Sequence, residues 1–179
     1  MLQPPPPPPH FPGAVLGSPM EVFVYGTLTD PDRARAVLDD GFEFGPDATL
    51  VGLRRVEGRY PTLASPTDAS RRDGGGPGDD RETGTDEPSV EGRILRTDRV
   101  GVLDDYEGVD RGLYVRVRVP VHGDQCEERT WDGADGAAVY VGNPDRLGIE
   151  GVEWPGDGGF GDRVREYVTD GGVEVRIET

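Results

Sequence analysis

The stretch from residue 21 to residue 38 reads EVFVYGTLTDPDRARAVL, and its pattern predicts a strand, a turn and a helix in succession. Residues 21–25 form an apolar run that predicts a buried strand, and residues 26–29 predict a loop. Asp30 as an N-cap, followed by Pro31, indicates that a helix fills the rest of the stretch. Such a turn exposes backbone N–H groups that can hold an anion or a carboxylate, although an ordinary strand-to-helix connection has the same pattern.

The chain continues to alternate strands with short helices. One or two further strands are predicted at residues 48–60, and single strands at residues 90–96, 113–121, 127–131, 137–141 and 173–177. Further helices are predicted at residues 99–106, with Asp98 as the cap and Gly108 just past the end, and at residues 162–169. The 127–131 and 137–141 strands are separated by Asp-Gly turn signals and predict a hairpin. Many strands with few helices indicate the α+β class, and we expect a small mixed-strand β-barrel with short flanking helices.

Two segments differ in composition from this core. Residues 1–19 form a Pro-rich tail with a proline run at 4–9, which we expect to be disordered, although a polyproline rod can also bind a partner. Residues 64–89 lack Leu, Ile, Val and Phe and are rich in Gly and charge, so they predict a disordered insertion. Residues 20–179 are therefore predicted to form one domain that carries this insertion.

The charge of the chain excludes several classes of partner. Asp and Glu total 35, the 19 basic residues are all Arg, and the formal net charge is −16. This charge disfavours binding to nucleic acid or to an anionic membrane surface. An excess of carboxylates is typical of proteins from salt-loving organisms. No apolar run approaches the length of a membrane span and no signal-peptide pattern is present, so we expect a cytoplasmic protein.

The inventory of reactive side chains is small. Cys126 is the single cysteine and the histidines are His10 and His122, so an internal disulfide or a zinc site is not expected. Residues 156–161 match G-x-G-x-x-G but lack a preceding strand, which argues against a dinucleotide site. No G-x-S-x-G motif is present, which argues against a serine hydrolase. Acidic pairs such as Asp104-Asp105 are expected on a solvated surface, so we expect no metal and no cofactor.

Two further segments are candidate functional motifs, LDDYEG at 103–108 and YVR at 114–116. Glu107 falls at the predicted helix end, where the helix dipole disfavours a carboxylate. These segments follow VFVYGTL at 22–28 in the order found in the gamma-glutamylcyclotransferase-like family, which the chain resembles. The remaining matching pieces are GRYP at 58–61, VEGRIL at 90–95 and AVYV at 138–141.

The resemblance implies a small mixed-strand barrel with a cavity at one end. It implies that Tyr25, Gly26, Thr27 and Leu28 form the substrate loop and that Glu107 is the catalytic acid and base. Known members release 5-oxoproline from γ-glutamyl amino acids, γ-glutamyl amines or related amides. Because the α-amino group of the substrate is the nucleophile, this reaction needs no Ser, Cys, cofactor or metal.

Tyr114 and Tyr140 can hydrogen-bond the substrate in such a cavity, although aromatic residues in a barrel more often fill the core. Two other functions stay open at this point. The cavity can serve a non-catalytic module that binds small molecules, with Glu107 as an orienting acceptor. The Pro-rich tail can instead make the chain an interaction protein. The leaving group and the oligomeric state are not readable from the sequence.

Overall fold

A computed structural model describes residues 19–66, 87–123 and 136–178. Its strands are β1 (Met20–Val24), β2 (Phe42–Val51), β3 (Arg54–Val56), β4 (Thr62–Ala64), β5 (Ser89–Thr97), β6 (Tyr114–Val119), β7 (Val121–Gly123), β8 (Ala137–Gly142) and β9 (Glu174–Ile177). Its α-helices are α1 (Pro31–Leu38), α2 (Val100–Glu107), α3 (Pro144–Leu147) and α4 (Phe160–Asp170), and a 3-10 turn covers Thr27–Thr29.

Seven strands form one mixed sheet in the order β6-β8-β1-β5-β2-β9-β7. The β1–β8 and β7–β9 pairs are parallel, and the other pairs in this sheet are antiparallel. The β3 and β4 strands form a separate antiparallel hairpin. All six residues of β8 are buried, since this strand lies inside the sheet between β6 and β1.

The two edge strands of the sheet are consecutive in the chain. β6 ends at Val119 and β7 begins at Val121, so only Pro120 lies between them in the sequence. In the sheet, however, these two strands form opposite edges. The Pro120 carbonyl accepts a hydrogen bond from the Val175 N–H of β9 at 2.9 Å. This connection requires the sheet to curl, and the predicted small mixed-strand barrel with short flanking helices is confirmed as a curled half-barrel.

Each face of the sheet carries its own apolar core. Phe23 and Tyr25 belong to one cluster, which also contains Val164 and Val168 of α4. Val22 and Val24, which alternate with them along β1, belong to the second cluster. This cluster also contains residues of α1 and Leu103 of α2. Because successive side chains of a strand point to opposite faces, β1 holds helices on both sides of the sheet.

Most predicted elements are present, but several boundaries differ. The predicted loop at 26–29 contains the 3-10 turn. The one or two strands predicted at 48–60 are two, β2 and β3, and the first of them begins earlier, at Phe42. The strand predicted over 113–121 is divided at Pro120, because proline has no N–H for the ladder. β4 and α3 were not predicted.

The prediction of Asp98 as the cap of α2 was wrong. Arg99 occupies the N-cap position, and no side chain caps this helix. The Thr97 hydroxyl instead accepts the Arg99 N–H at 3.0 Å. At α1 the prediction is confirmed, since Asp30 accepts hydrogen bonds from the N–H groups of Asp32 and Arg33.

Some predictions lie outside the described residues. These concern the tail up to residue 18, Cys126, residues 127–131 of the predicted hairpin and residues 67–86 of the predicted insertion. At the ends of that insertion, Ala64 closes β4 and Ser89 opens β5. Within the described part of the chain, no helix is long and apolar enough to cross a membrane.

Candidate active site

A cavity of about 680 Å³ lies where β1, α2 and β6 meet the turn between β3 and β4. All six residues that the sequence assigned to the site line this cavity. They are Tyr25, Gly26, Thr27, Leu28, Glu107 and Tyr114. The structure therefore brings together side chains that lie up to 89 positions apart in the chain. Tyr140 also lines the cavity.

The end of β1 supplies the loop side of the cavity. Gly26 precedes the 3-10 turn, and its carbonyl accepts hydrogen bonds from the N–H and the hydroxyl of Thr29 at 3.1 and 2.7 Å. Among the described residues, no backbone carbonyl accepts a hydrogen bond from the N–H groups of Gly26, Thr27 or Leu28 outside the regular elements. Arg55 donates to the Tyr25 carbonyl at 3.1 Å and fixes the end of the strand. These N–H groups are the donors that the turn offers to a ligand.

Glu107 is the last residue of α2 and is half-buried in the cavity wall. Burial raises the pKa of its carboxyl from 4.5 to about 7. No hydrogen bond or ion pair to this carboxylate is found within the described part of the chain. A carboxyl with a pKa near 7 is well placed both to accept and to donate a proton at neutral pH.

The end of α2 is held in place by its C-cap. Gly108 has a φ of 69°, the left-handed conformation typical of a helix C-terminus. Its N–H and that of Val109 donate to the carbonyls of Asp105 and Asp104 at 3.2 and 2.9 Å. A Cβ at Gly108 would meet side-chain atoms of Arg111 and Leu113 at 2.8 Å. Glycine at this position therefore determines where Glu107 lies.

The tyrosine hydroxyls of the cavity already have acceptors. Tyr25 donates to the Tyr140 carbonyl at 2.7 Å, and Tyr114 donates to the Pro61 carbonyl at 3.1 Å. Burial raises the pKa of both phenols, and the neighbouring carboxylate of Glu107 raises them further. Both hydroxyls therefore stay protonated at neutral pH and can accept a hydrogen bond from a ligand while they donate to the backbone.

Asp104 connects α2 to the sheet. It accepts hydrogen bonds from the Tyr140 hydroxyl at 2.8 Å and from the Arg116 guanidinium at 2.6 Å. The expectation of a solvated Asp104-Asp105 pair was therefore wrong for Asp104, while Asp105 is exposed. Asp104 lies one helical turn before Glu107, so this network sets the position of the helix end. The sequence carries no signal for it, because Tyr140 and Arg116 lie on different strands.

The turn between β3 and β4 forms a third side of the cavity. The Thr62 hydroxyl donates to the Gly142 carbonyl at 3.1 Å and accepts its N–H at 2.6 Å, which ties the hairpin to the end of β8. Arg59, Tyr60 and Pro61 of this turn line the cavity. The GRYP motif marked this segment in the sequence, but its place at the site depends on the Thr62 contacts.

Four arginines also line the cavity, and sequence reasoning did not identify them. They are Arg33, Arg59, Arg111 and Arg146, all of them exposed. No group of three His, Cys, Asp or Glu residues that could hold a metal ion is found among the described residues. His122 lies 3.4 Å from Glu174, away from the cavity lining.

A family model described as gamma-glutamyl cyclotransferase, AIG2-like, matches residues 22–156. A search of curated proteins returns no match. A solution structure from Arabidopsis thaliana is 27% identical over 84% of this chain and 83% of its own, with a TM-score of 0.44.

Two further solved structures are similar. An uncharacterized protein from Homo sapiens is 14% identical over 86% of this chain and 99% of its own, with a TM-score of 0.44. A gamma-glutamyl cyclotransferase is 15% identical over 86% of this chain and 100% of its own, with a TM-score of 0.41. The family match spans β1 through α3 and includes every residue assigned to the site. The chain therefore belongs to the gamma-glutamyl cyclotransferase, AIG2-like family.

Proposed function

We propose that this protein is a γ-glutamyl cyclotransferase that releases 5-oxoproline from a γ-glutamyl amino acid or γ-glutamyl amine. One observation carries the proposal. Glu107 is the only carboxylate among the described residues that line the cavity, and burial raises its pKa to about 7. A cavity with one such carboxyl, and with no Ser or Cys among the described residues of its lining, suits a substrate that supplies its own nucleophile.

In the proposed reaction Glu107 first acts as a base. Its carboxylate takes a proton from the α-ammonium group of the substrate, and the free amine attacks the γ-carbonyl carbon. The new C–N bond closes a five-membered ring and leaves negative charge on the carbonyl oxygen. Glu107 then returns its proton to the leaving nitrogen as the original amide C–N bond breaks. The ring nitrogen still carries a second proton, which the Glu107 carboxylate takes and passes to the released amine. The products are 5-oxoproline and the released amine as an ammonium ion, and Glu107 ends in its starting ionisation state.

The cavity contributes binding and orientation to this chemistry. A substrate held in the folded conformation reacts intramolecularly, and such reactions gain a large entropic advantage. The N–H groups of Gly26, Thr27 and Leu28, which donate to no described backbone carbonyl outside the regular elements, are suited to the α-carboxylate or to the developing oxyanion. The hydroxyl oxygens of Tyr25 and Tyr114 can accept hydrogen bonds from the ammonium group of the same bound substrate.

The test is an assay of 5-oxoproline release in molar KCl, with a panel of γ-glutamyl amino acids and amines. We expect product from the wild-type protein and a loss of at least about a hundredfold in kcat for Glu107→Gln, because the amide neither accepts nor returns the proton. Asp105→Asn is the matched control, since Asp105 is exposed on the same helix and lies outside the cavity lining.

Full activity in a folded Glu107→Gln variant would contradict the role of Glu107. Binding of panel compounds without any 5-oxoproline would support the binding-module alternative and end the proposal of catalysis.

A further inference from the structure

Basic residues outnumber acidic residues in the described lining of the cavity, whereas acidic residues predominate in the chain as a whole. The chain carries 35 acidic and 19 basic residues, yet the described lining of the cavity holds four arginines and the single carboxylate Glu107. The arginines come from separate segments. Arg33 lies on α1, Arg59 in the β3–β4 turn, Arg111 after α2 and Arg146 on α3.

Most other described arginines are paired with a carboxylate. Their N···O distances range from 2.6 to 3.9 Å, and they are Arg35, Arg55, Arg93, Arg99, Arg116, Arg165 and Arg176. None of the four cavity arginines makes such an ion pair with a described residue. Arg59 instead lies over the ring of Tyr60, at 5.7 Å from its centroid. Within the described part of the chain, these four guanidinium groups therefore have no carboxylate partner and are suited to an anionic ligand.

The four cavity arginines lie closer to the solvent than Glu107 does. All four are exposed, whereas Glu107 is half-buried and the 3-10 turn lies beside it in the wall. A substrate whose glutamyl end reaches Glu107 would therefore place its leaving group on the solvent side of the cavity, among the arginines. Guanidinium groups bind carboxylates in a bidentate geometry that a neutral alkyl group cannot use.

We propose that the leaving group of the substrate carries a carboxylate, so that the enzyme prefers γ-glutamyl amino acids to γ-glutamyl amines. This inference rests on the proposed cyclotransferase function. The glutamyl end carries one ammonium and one carboxylate and is neutral, so the arginines need a second anionic group to balance them. In concentrated salt long-range steering is screened, and direct contact between guanidinium and carboxylate carries the selectivity.

Two substrates that differ by one carboxylate test the proposal. γ-Glutamylethylamide is γ-glutamylalanine without the carboxylate of its leaving group. We expect kcat/KM to be at least about tenfold higher for γ-glutamylalanine, in line with a charge-assisted hydrogen bond. The ratio should fall toward one in Arg59→Gln, Arg111→Gln or Arg146→Gln, or in their combination. Arg96→Gln is the matched control and should keep the ratio, since Arg96 is exposed on β5 outside the cavity lining.

A binding measurement separates this inference from the proposed function. Calorimetric titration of the Glu107→Gln variant with both compounds reports selectivity without turnover. Release of 5-oxoproline from both substrates at equal efficiency would overturn the carboxylate preference and leave the cyclotransferase standing. Tighter binding of γ-glutamylalanine without turnover by the wild type would support the preference and contradict the reaction. Equal affinity for both compounds would overturn the preference in either case.

Discussion

At the scale of single residues, Glu107 is placed where charge is costly. It ends α2, where the helix dipole disfavours a negative charge, and it is half-buried with no counter-charge pairing to it among the described residues. Burial alone accounts for the rise of its pKa to about 7. The same cost gives the carboxyl a proton affinity suited to work at neutral pH.

This pKa predicts the pH dependence of the proposed reaction. Glu107 must be ionised to accept the proton of the substrate, so kcat/KM should fall as the pH drops below about 7. The measurement is a profile of 5-oxoproline release from about pH 5 to about pH 9. Asp105→Asn should show the same acidic limb. An acidic limb at the pKa of an ordinary glutamate would show that burial does not tune this group.

The pKa of Glu107 also predicts an effect on stability that does not depend on catalysis. The folded-state pKa of about 7 lies above the ordinary value of 4.5, so the folded state binds the proton more tightly. The stabilisation from this carboxyl is full below 4.5 and is lost as the pH rises toward 7. The stability advantage of Glu107→Gln over the wild type should therefore widen by about 2 kcal/mol between about pH 5 and about pH 8.

Urea unfolding of both proteins at the two pH values measures this change. Asp105→Asn serves again as the control, because an exposed carboxyl should show no such widening. A constant difference between Glu107→Gln and the wild type would show that the carboxyl is solvated in the folded protein.

At the scale of the helix, two glycines of the same segment have opposite roles. Gly108 has a φ of 69°, and a Cβ there would meet Arg111 and Leu113 at 2.8 Å. Gly101 lies inside α2, and a Cβ there would meet nothing within 4 Å. Gly108→Ala should destabilise the protein by about 1–2 kcal/mol and lower kcat, because the left-handed C-cap is strained and Glu107 precedes it. Gly101→Ala should stabilise it by about 0.5–1 kcal/mol.

Thermal unfolding measures the stability of both variants, and the 5-oxoproline assay measures their kcat. Equal effects of the two substitutions would contradict the role of the left-handed cap.

The elements show what the sequence can and cannot predict. The strand, turn and helix from residue 21 to residue 38 follow from local signals, and Asp30 caps α1 as predicted. Alternation over residues 113–121 correctly predicted a strand, but it could not show that Pro120 divides it between opposite edges of the sheet. That outcome depends on pairing with β8 on one side and β9 on the other, which is not a local property.

The candidate site, too, could be predicted only in part from the sequence. The resemblance to the family implied that Tyr25 to Leu28 and Glu107 belong to the site, and Tyr114 was a candidate for hydrogen bonding to the substrate. All of them line one cavity. The link from Asp104 to Tyr140 and Arg116 was missed, because its members are polar residues without a shared spacing. The cavity arginines were missed for a related reason. Whether an arginine is paired with a carboxylate depends on tertiary contacts, and the chain has 19 arginines.

At the scale of the whole molecule, the net charge of −16 opposes folding through repulsion between carboxylates. Most of the described ion pairs involve exposed side chains, and such pairs contribute little to stability. Salt screens the repulsion over distances beyond about 10 Å at 0.1 M and beyond about 3 Å at 1 M. We therefore predict that the folded state is more stable in concentrated salt.

Raising KCl from about 0.1 M to about 2 M should raise the Tm by several degrees, since each kcal/mol shifts it by about 2–4 °C in a chain of this size. Sorbitol at equal osmolality is the control, because it strengthens burial without screening charge. A larger rise in KCl than in sorbitol would identify screening as the cause. An equal rise in both would show that the carboxylates do not limit stability, and the excess of acidic residues would then need a reason other than salt.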